Sequence, residues 1–315
     1  GDVIEFTASN DGVKEYVAID PTAKAAFTLE PATVGTVANQ NLHGLANADM
    51  VIITHPSFAA QAEKLAAAHR EKDNLSVNIV TTEQVYNEFS SGTPDATAYR
   101  WVMKMFYDRA QQNPGAHTMP KYLLLFGRGT FDNRGLIPNS GDNLVLTYQA
   151  DQSLHLVQSY VTDDYFGFLD NSEGTNLTSH MIDLGIGRFP TVTPQQAEDV
   201  VNKTIAYMKN DIKGNWKNQL TFLADDGDDS LHIGQADGIA QSLFATNPEY
   251  QFQKIYLDSY LQEISASGES YPLARKRLHS LINTGMFMLN FTGHAGPVGW
   301  TNEQILSTND VTKMF

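Results

Sequence analysis

Apolar positions along the chain follow two rhythms. Short continuous apolar runs alternate with longer stretches where apolar residues recur every three or four positions. Met50–Thr54 is the first run, and it stops at His55-Pro56. Phe58, Ala62, Leu65, Ala66 and His69 then recur at helical spacing, with Ser57 as the expected N-cap. Residues 77–80 predict a second strand and Thr82–Phe89 a short helix. Asp95 is placed to cap a helix with Tyr99, Val102, Met103, Phe106 and Tyr107 on one face, closed by Pro114-Gly115. Tyr122–Phe126 predicts a strand ending at Gly127. A long Gly-, Asn- and Asp-rich stretch, 128–180, follows. Connections of this length inside a compact domain are usually functional. Strands are then expected at 181–189, 220–224, 254–257 and 286–291, with helices from Thr193 and over 230–246 and 271–283. Buried strands alternating with amphipathic helices imply parallel βαβ units, an α/β fold.

Residues 1–48 carry no helical period and read as the tail of a β-rich region plus a linker. A break near Asn210-Asp211 divides the remainder into 49–210 and 211–315. Apolar residues make up 42% of the 315 and charged residues 18%, which supports a folded core. With 21 basic and 36 acidic residues the net charge is −15, which argues against binding nucleic acid or an anionic membrane. No apolar run approaches the roughly 18 residues of a transmembrane helix. There is no cysteine, which excludes disulfides, thiolate metal sites and a cysteine nucleophile within these residues. The chain opens Gly1-Asp2 and ends at Phe315 inside an apparent element, so it reads as a piece of a longer protein.

In open parallel sheets functional groups gather beyond the carboxyl ends of strands. Four such ends are polar: His55, Gly127-Arg128, Asp225-Asp226 and His294. No dinucleotide-binding, P-loop or nucleophile-elbow motif is present. His294 lies in Thr292-Gly293-His294-Ala295-Gly296, a Gly-flanked turn just past a buried strand. The position suits general acid or base work near neutral pH, and it equally suits a histidine bonded within its own loop. The carboxylates crowding residues 225–229 repel one another unless donors or a cation intervene. A structural Ca²⁺ is therefore expected at Asp225 and Asp228, or at Asp163, Asp164 and Asp170. A solvated acidic loop is the alternative.

Several stretches, taken in order, resemble the gingipain-type cysteine peptidases, and within them the type IX secretion sortases of the PorU type. They include Asn39-Gln40-Asn41-Leu42-His43-Gly44-Leu45, Asn87-Glu88-Phe89-Ser90-Ser91-Gly92 and Phe131-Asp132-Asn133-Arg134. Thr162-Asp163-Asp164-Tyr165-Phe166-Gly167, Gly187-Arg188-Phe189-Pro190, Ala224-Asp225-Asp226-Gly227-Asp228 and Phe291-Thr292-Gly293-His294 complete the series. The likeness implies a caspase/gingipain-like parallel-sheet α/β/α sandwich in two subdomains with a short β-rich N-terminal extension. It implies His294 as the catalytic histidine, Asp226 as the acid that orients it, and N–H groups around Gly293, Ala295 and Gly296 as the oxyanion hole. The cysteine would follow one crossover later, roughly 30–40 residues on and beyond Phe315. Gly127-Arg128 departs from the family, which commonly places an acid after this glycine. Trp300 is read as a pocket wall or as core, His232 as an assisting or a structural histidine, and Arg188 as a partner for buried acceptors.

The implied protein is a sortase at the extracellular face of the outer membrane of a Bacteroidetes-type bacterium. Its expected partners are cargo proteins with C-terminal sorting domains and other outer-membrane secretion components, and it requires no cofactor. A free secreted protease, a non-catalytic calcium-stapled binding module and a metal-dependent hydrolase are the alternatives.

Overall fold

The computed structural model describes residue 7 and residues 37–150, 160–174, 179–266, 268–296 and 298–314. The extended stretches expected at 3–7 and 16–19 lie, Thr7 apart, outside them. The chain forms two compact units, Gly1–Val201 and Asn202–Phe315. That division falls within the helix Pro194–Lys209, whose end adjoins the break expected at 210.

In the first unit, strands β1 (Met50–Thr54), β2 (Val77–Thr81), β3 (Tyr122–Phe126) and β4 (Gly185–Phe189) form one parallel sheet in the order β2-β1-β3-β4. β1 is buried at all five positions, as a central strand covered on both faces must be. Val51, Ile53, Leu123 and Leu125 pack in one cluster with Tyr99, Val102, Met103 and Phe106. Phe126 sits outside that cluster and meets Phe58 and Phe189 at ring-centroid distances of 5.8 and 5.2 Å. The helices are α1 (Ala59–Lys72), α2 (Thr82–Phe89) and α3 (Thr97–Gln112). α2 begins with a capping box in which Thr81 and Gln84 each satisfy the other's backbone N–H. Asp95 accepts the Thr97 N–H at 2.8 Å, as expected. Ser57 does not cap α1. A 3₁₀ turn over Pro56–Phe58 intervenes, and the His55 side chain caps that turn.

Among the described residues of the long segment after β3, Tyr148–Gln149 pairs antiparallel with Val161–Thr162, Asp164–Gly167 forms a 3₁₀ turn, and much of the remainder is irregular but internally bonded. Asp132 accepts the N–H groups of Leu136 and Ile137 and the Ser140 hydroxyl. Arg188 on β4 ties in several further groups. Its Nε and Nη2 reach Asp163 at 2.7 and 2.8 Å, and Nη1 and Nη2 donate to the carbonyls of Gly127, Val145 and Leu146. The role expected of Arg188 as a partner for buried acceptors is the one it fills.

Pro194–Lys209 is α4. In the second unit, β5 (Gln219–Ala224), β6 (Gln251–Tyr256) and β7 (Met288–Thr292) are parallel in the order β7-β5-β6. α5 (Leu231–Thr246) and α6 (Pro272–Thr284) are the crossovers. On β5, Leu220 and Phe222 pack with Ala240 of α5, while Leu223 packs with Ala274, Leu278 and Leu281 of α6. Alternation along the strand thus covers the two faces with different helices. A short antiparallel ladder follows β7, formed by β8 (Ala295–Gly296), β9 (Gly299–Trp300) and β10 (Leu306–Ser307), then α7 (Thr308–Met314). The mixed α/β fold with parallel sheets matches the expectation from the alternating pattern. Among the described residues no helix is long and apolar enough to cross a membrane.

Three carboxylates tie loops to this frame and predict the response to acid. Hydrogen bonds from Ser76, with help from Lys121, hold Asp49 down at about 2. Burial works against ionised Glu88 and Asp310, but donors outweigh it. Glu88 receives Leu42, Gln40 and His43, Asp310 receives Ser307 and Arg275, and both lie at about 2. Depressed carboxylates stabilise the fold above their ordinary values of 3.8 and 4.5 and lose that contribution as pH falls towards 2. Urea midpoints are therefore expected to be nearly flat above about pH 5 and to drop between about pH 4 and 2. Midpoints unchanged down to pH 2 would contradict this assignment.

Candidate active site

The site is built at the carboxyl ends of β5 and β7, entirely within the second unit. The two strands pair in parallel with Ala224 opposite Thr292. The residues that follow, Asp225 and Gly293, therefore leave the sheet side by side. The ladder continues one step beyond the strands, with the Asp225 N–H donating to the Thr292 carbonyl at 3.0 Å. Asp225 Oδ2 then accepts the His294 main-chain N–H at 3.1 Å. This approach requires glycine at 293. A Cβ there would lie 2.4 Å from the Asp225 Cβ, which no neighbour can accommodate.

The His294 side chain is 73% exposed and Asp225 only 8%. His294 Nδ1 lies 3.9 Å from Asp225 Oδ2 and 3.6 Å from Asp228 Oδ2. Burial pushes the Asp225 carboxyl up, and the charge of Asp226 adds to this against the His294 N–H. His232, one turn into α5, reaches Asp228 with Nε2 at 3.1 Å. Its ring stands edge-on to that of His294 at 5.1 Å. The His294 carbonyl accepts from Thr301 across the β8–β9 hairpin at 2.9 Å. Both main-chain groups of His294 are thus committed. Trp300 stacks flat on Phe291 at 4.5 Å and packs against the apolar cluster under the site, so it serves as core behind the histidine.

Asp226 does not approach His294 as expected. Its Oδ2 accepts the Tyr271 hydroxyl at 2.7 Å. Consecutive side chains leave an extended backbone in opposite directions, so only one of the pair can face the histidine, and that one is Asp225. Burial, reinforced by Asp226, pushes the Tyr271 hydroxyl above its usual range, so it stays a donor. Asp225, Asp226 and Glu303 place carboxylate oxygens within 4.8 Å of one another, and Glu303 Oε2 is buried without a partner. This oxygen set has the chemistry a structural Ca²⁺ takes. The other expected cation ligands are placed differently. Asp163 is engaged by Arg188 and by the Thr147 hydroxyl, and Asp170 accepts from Tyr107. Among the described residues neither they nor Asp164 join a carboxylate cluster. A guanidinium stands where a cation was expected.

Tyr271 and Glu303 escape sequence reasoning because they lie far along the chain from Asp226. Asp225 carried a usable signal. It is the first residue past an apolar strand, as Gly293 is, and parallel pairing in register brings such positions together. An apolar cavity of about 650 Å³, lined by residues including Tyr207, Ile212, Trp216 and Phe287, contains none of the site residues.

Comparison with known proteins bears on this geometry. No curated protein matches the chain. A crystal structure of dimeric latent PorU from Porphyromonas gingivalis is similar at 33% identity and a TM-score of 0.50. The match covers 88% of this chain and 22% of PorU. The complex of pro- and mature domains of RgpB from the same organism shares the fold at 17% identity and a TM-score of 0.56. That match covers 83% of this chain and 51% of RgpB. A further protease structure shares the fold at 14% identity, with a TM-score of 0.56, over 84% of this chain and 48% of its own. The chain thus spans about a fifth of PorU and about half of the other two. The family model for peptidase family C25 matches residues 43–315, and the chain belongs to that family.

Proposed function

We propose that this chain carries the histidine half of a cysteine-peptidase site in a cell-surface sortase. The sortase would remove C-terminal sorting domains from secreted cargo and pass the new carboxyl end to a surface glycolipid. The observation that carries the reading is His294. It is solvent-facing at a strand end, with its own N–H fixed by the buried Asp225. The 33% identity to PorU favours the sortase over a free secreted protease.

In this reading the nucleophile comes from outside these residues, since they contain no cysteine, and this chain alone does not cleave peptides. A cysteine thiolate attacks the scissile carbonyl, and protonated His294 gives its proton to the leaving amine as the C–N bond breaks. The resulting thioester is taken by a glycolipid nucleophile or by water, whose proton returns to His294. Asp225 and Asp228 stand 3.9 and 3.6 Å from Nδ1 of the ring. The His294 N–H is held by Asp225 and Gly296 is paired with Gly299 in the hairpin, so of the turn residues the family likeness suggests as oxyanion donors, Gly293 and Ala295 remain.

The test is cargo processing by the full-length protein carrying His294→Ala. Processing is expected to slow by about 10²–10⁴-fold while circular dichroism stays unchanged. Processing at the wild-type rate would overturn the reading.

A further inference from the structure

We propose that Asp225, His232 and His294, with Asp228 alongside, form a binding site for a divalent transition metal of the Zn²⁺ class. One donor atom from each of the first three lies within 4.8 Å of the other two. They come from three places that the fold brings together: the end of β5, the first turn of α5 and the end of β7. Both imidazoles converge on one oxygen. Asp228 Oδ2 is 3.1 Å from His232 Nε2 and 3.6 Å from His294 Nδ1. His232 Nδ1, on the other side of its ring, is buried without a partner. The polar contacts of His232 are thus confined to the side facing Asp228 and His294.

The donor set selects the ion. Ca²⁺ and Mg²⁺ take oxygen ligands, whereas imidazole suits Zn²⁺ and its neighbours. Two imidazoles with one or two carboxylates are a common zinc set, and Zn–N bonds of about 2.0–2.1 Å need only a modest inward turn of these rings. The exposure of His294 supplies an entry path and room for a further ligand. An imidazole holding metal through either ring nitrogen cannot become the imidazolium, protonated on both, that the catalytic cycle needs. Metal occupancy and acid–base action at His294 therefore exclude each other. That consequence rests on the peptidase reading; the binding itself does not.

The test is isothermal titration of this chain with Zn²⁺ alone, with Co²⁺ absorption as a probe of tetrahedral nitrogen ligation. His232→Gln and His294→Gln are each expected to weaken Zn²⁺ binding at least about tenfold and to abolish the Co²⁺ band. Equal Zn²⁺ affinity in the wild type and His294→Gln overturns the proposal. His294 is exposed, so His294→Gln keeps the test valid if His232→Gln fails to fold. No readout requires a cysteine. Lost Zn²⁺ binding beside His294-dependent processing sinks the metal site alone, and the reverse pattern sinks the peptidase reading alone.

Discussion

Asp225→Ala in the full-length protein is expected to lower kcat for cargo processing by about 10²–10⁴-fold, comparable to loss of the histidine itself. Asp226→Ala is expected to cost far less. The difference follows from where each carboxylate points. Asp225 is buried, holds the His294 N–H at 3.1 Å and lies 3.9 Å from the imidazole. Asp226 is occupied with Tyr271. Asp225 is buried beneath the histidine loop, so under the peptidase reading it is a positioning residue. The loss is therefore expected in kcat with little change in KM. Asp225→Asn keeps an oxygen for the N–H but removes the charge. It is expected to retain the fold and fall between the wild type and alanine. If Asp226→Ala shows the larger loss in kcat, the orienting role belongs to Asp226 and the assignment fails.

Arg188→Ala is expected to destabilise the first unit by about 1–3 kcal/mol, because the pair it breaks is only partly buried. The guanidinium engages Asp163 through two nitrogens and three carbonyls besides. Its removal leaves Asp163 without its charge partner and the carbonyls of Gly127, Val145 and Leu146 without this donor. Arg188→Lys is expected to recover only part of the loss, because a single ammonium cannot reproduce the planar fork. Urea midpoints at neutral pH measure the effect. An alanine midpoint within the error of the wild type would mean that Asp132 and the bonds from Arg100, Lys104 and Tyr107 of α3 suffice to hold the segment.

The strands were legible because continuous apolar runs bounded by His-Pro, Gly and Asp leave few other readings. β1 and β3 begin and end where the pattern places them. The alternation of Phe222 and Leu223 between helices was equally implicit in the period of two. β4 is shorter than expected, since residues 181–184 stay irregular ahead of it. The site was legible at His294 and not at its partner. Choosing between Asp225 and Asp226 needs the pairing of Ala224 with Thr292, a contact between positions far apart in the chain. The same distance hid Tyr271 and Glu303. Acidic composition alone could not tell Asp163, which answers an arginine, from a cation ligand. Sequence shows which groups are charged, whereas the fold decides which opposite charge each one meets.

His294 is anchored by its peptide group on both sides, to Asp225 and to Thr301, and not by its imidazole. Any side chain at 294 inherits the same loop. If the sortase reading holds, a full-length variant that has lost the imidazole should keep its cargo-binding shape and lose only the ability to finish with it. Such a protein would serve as a trap, holding client polypeptides uncut for isolation and naming.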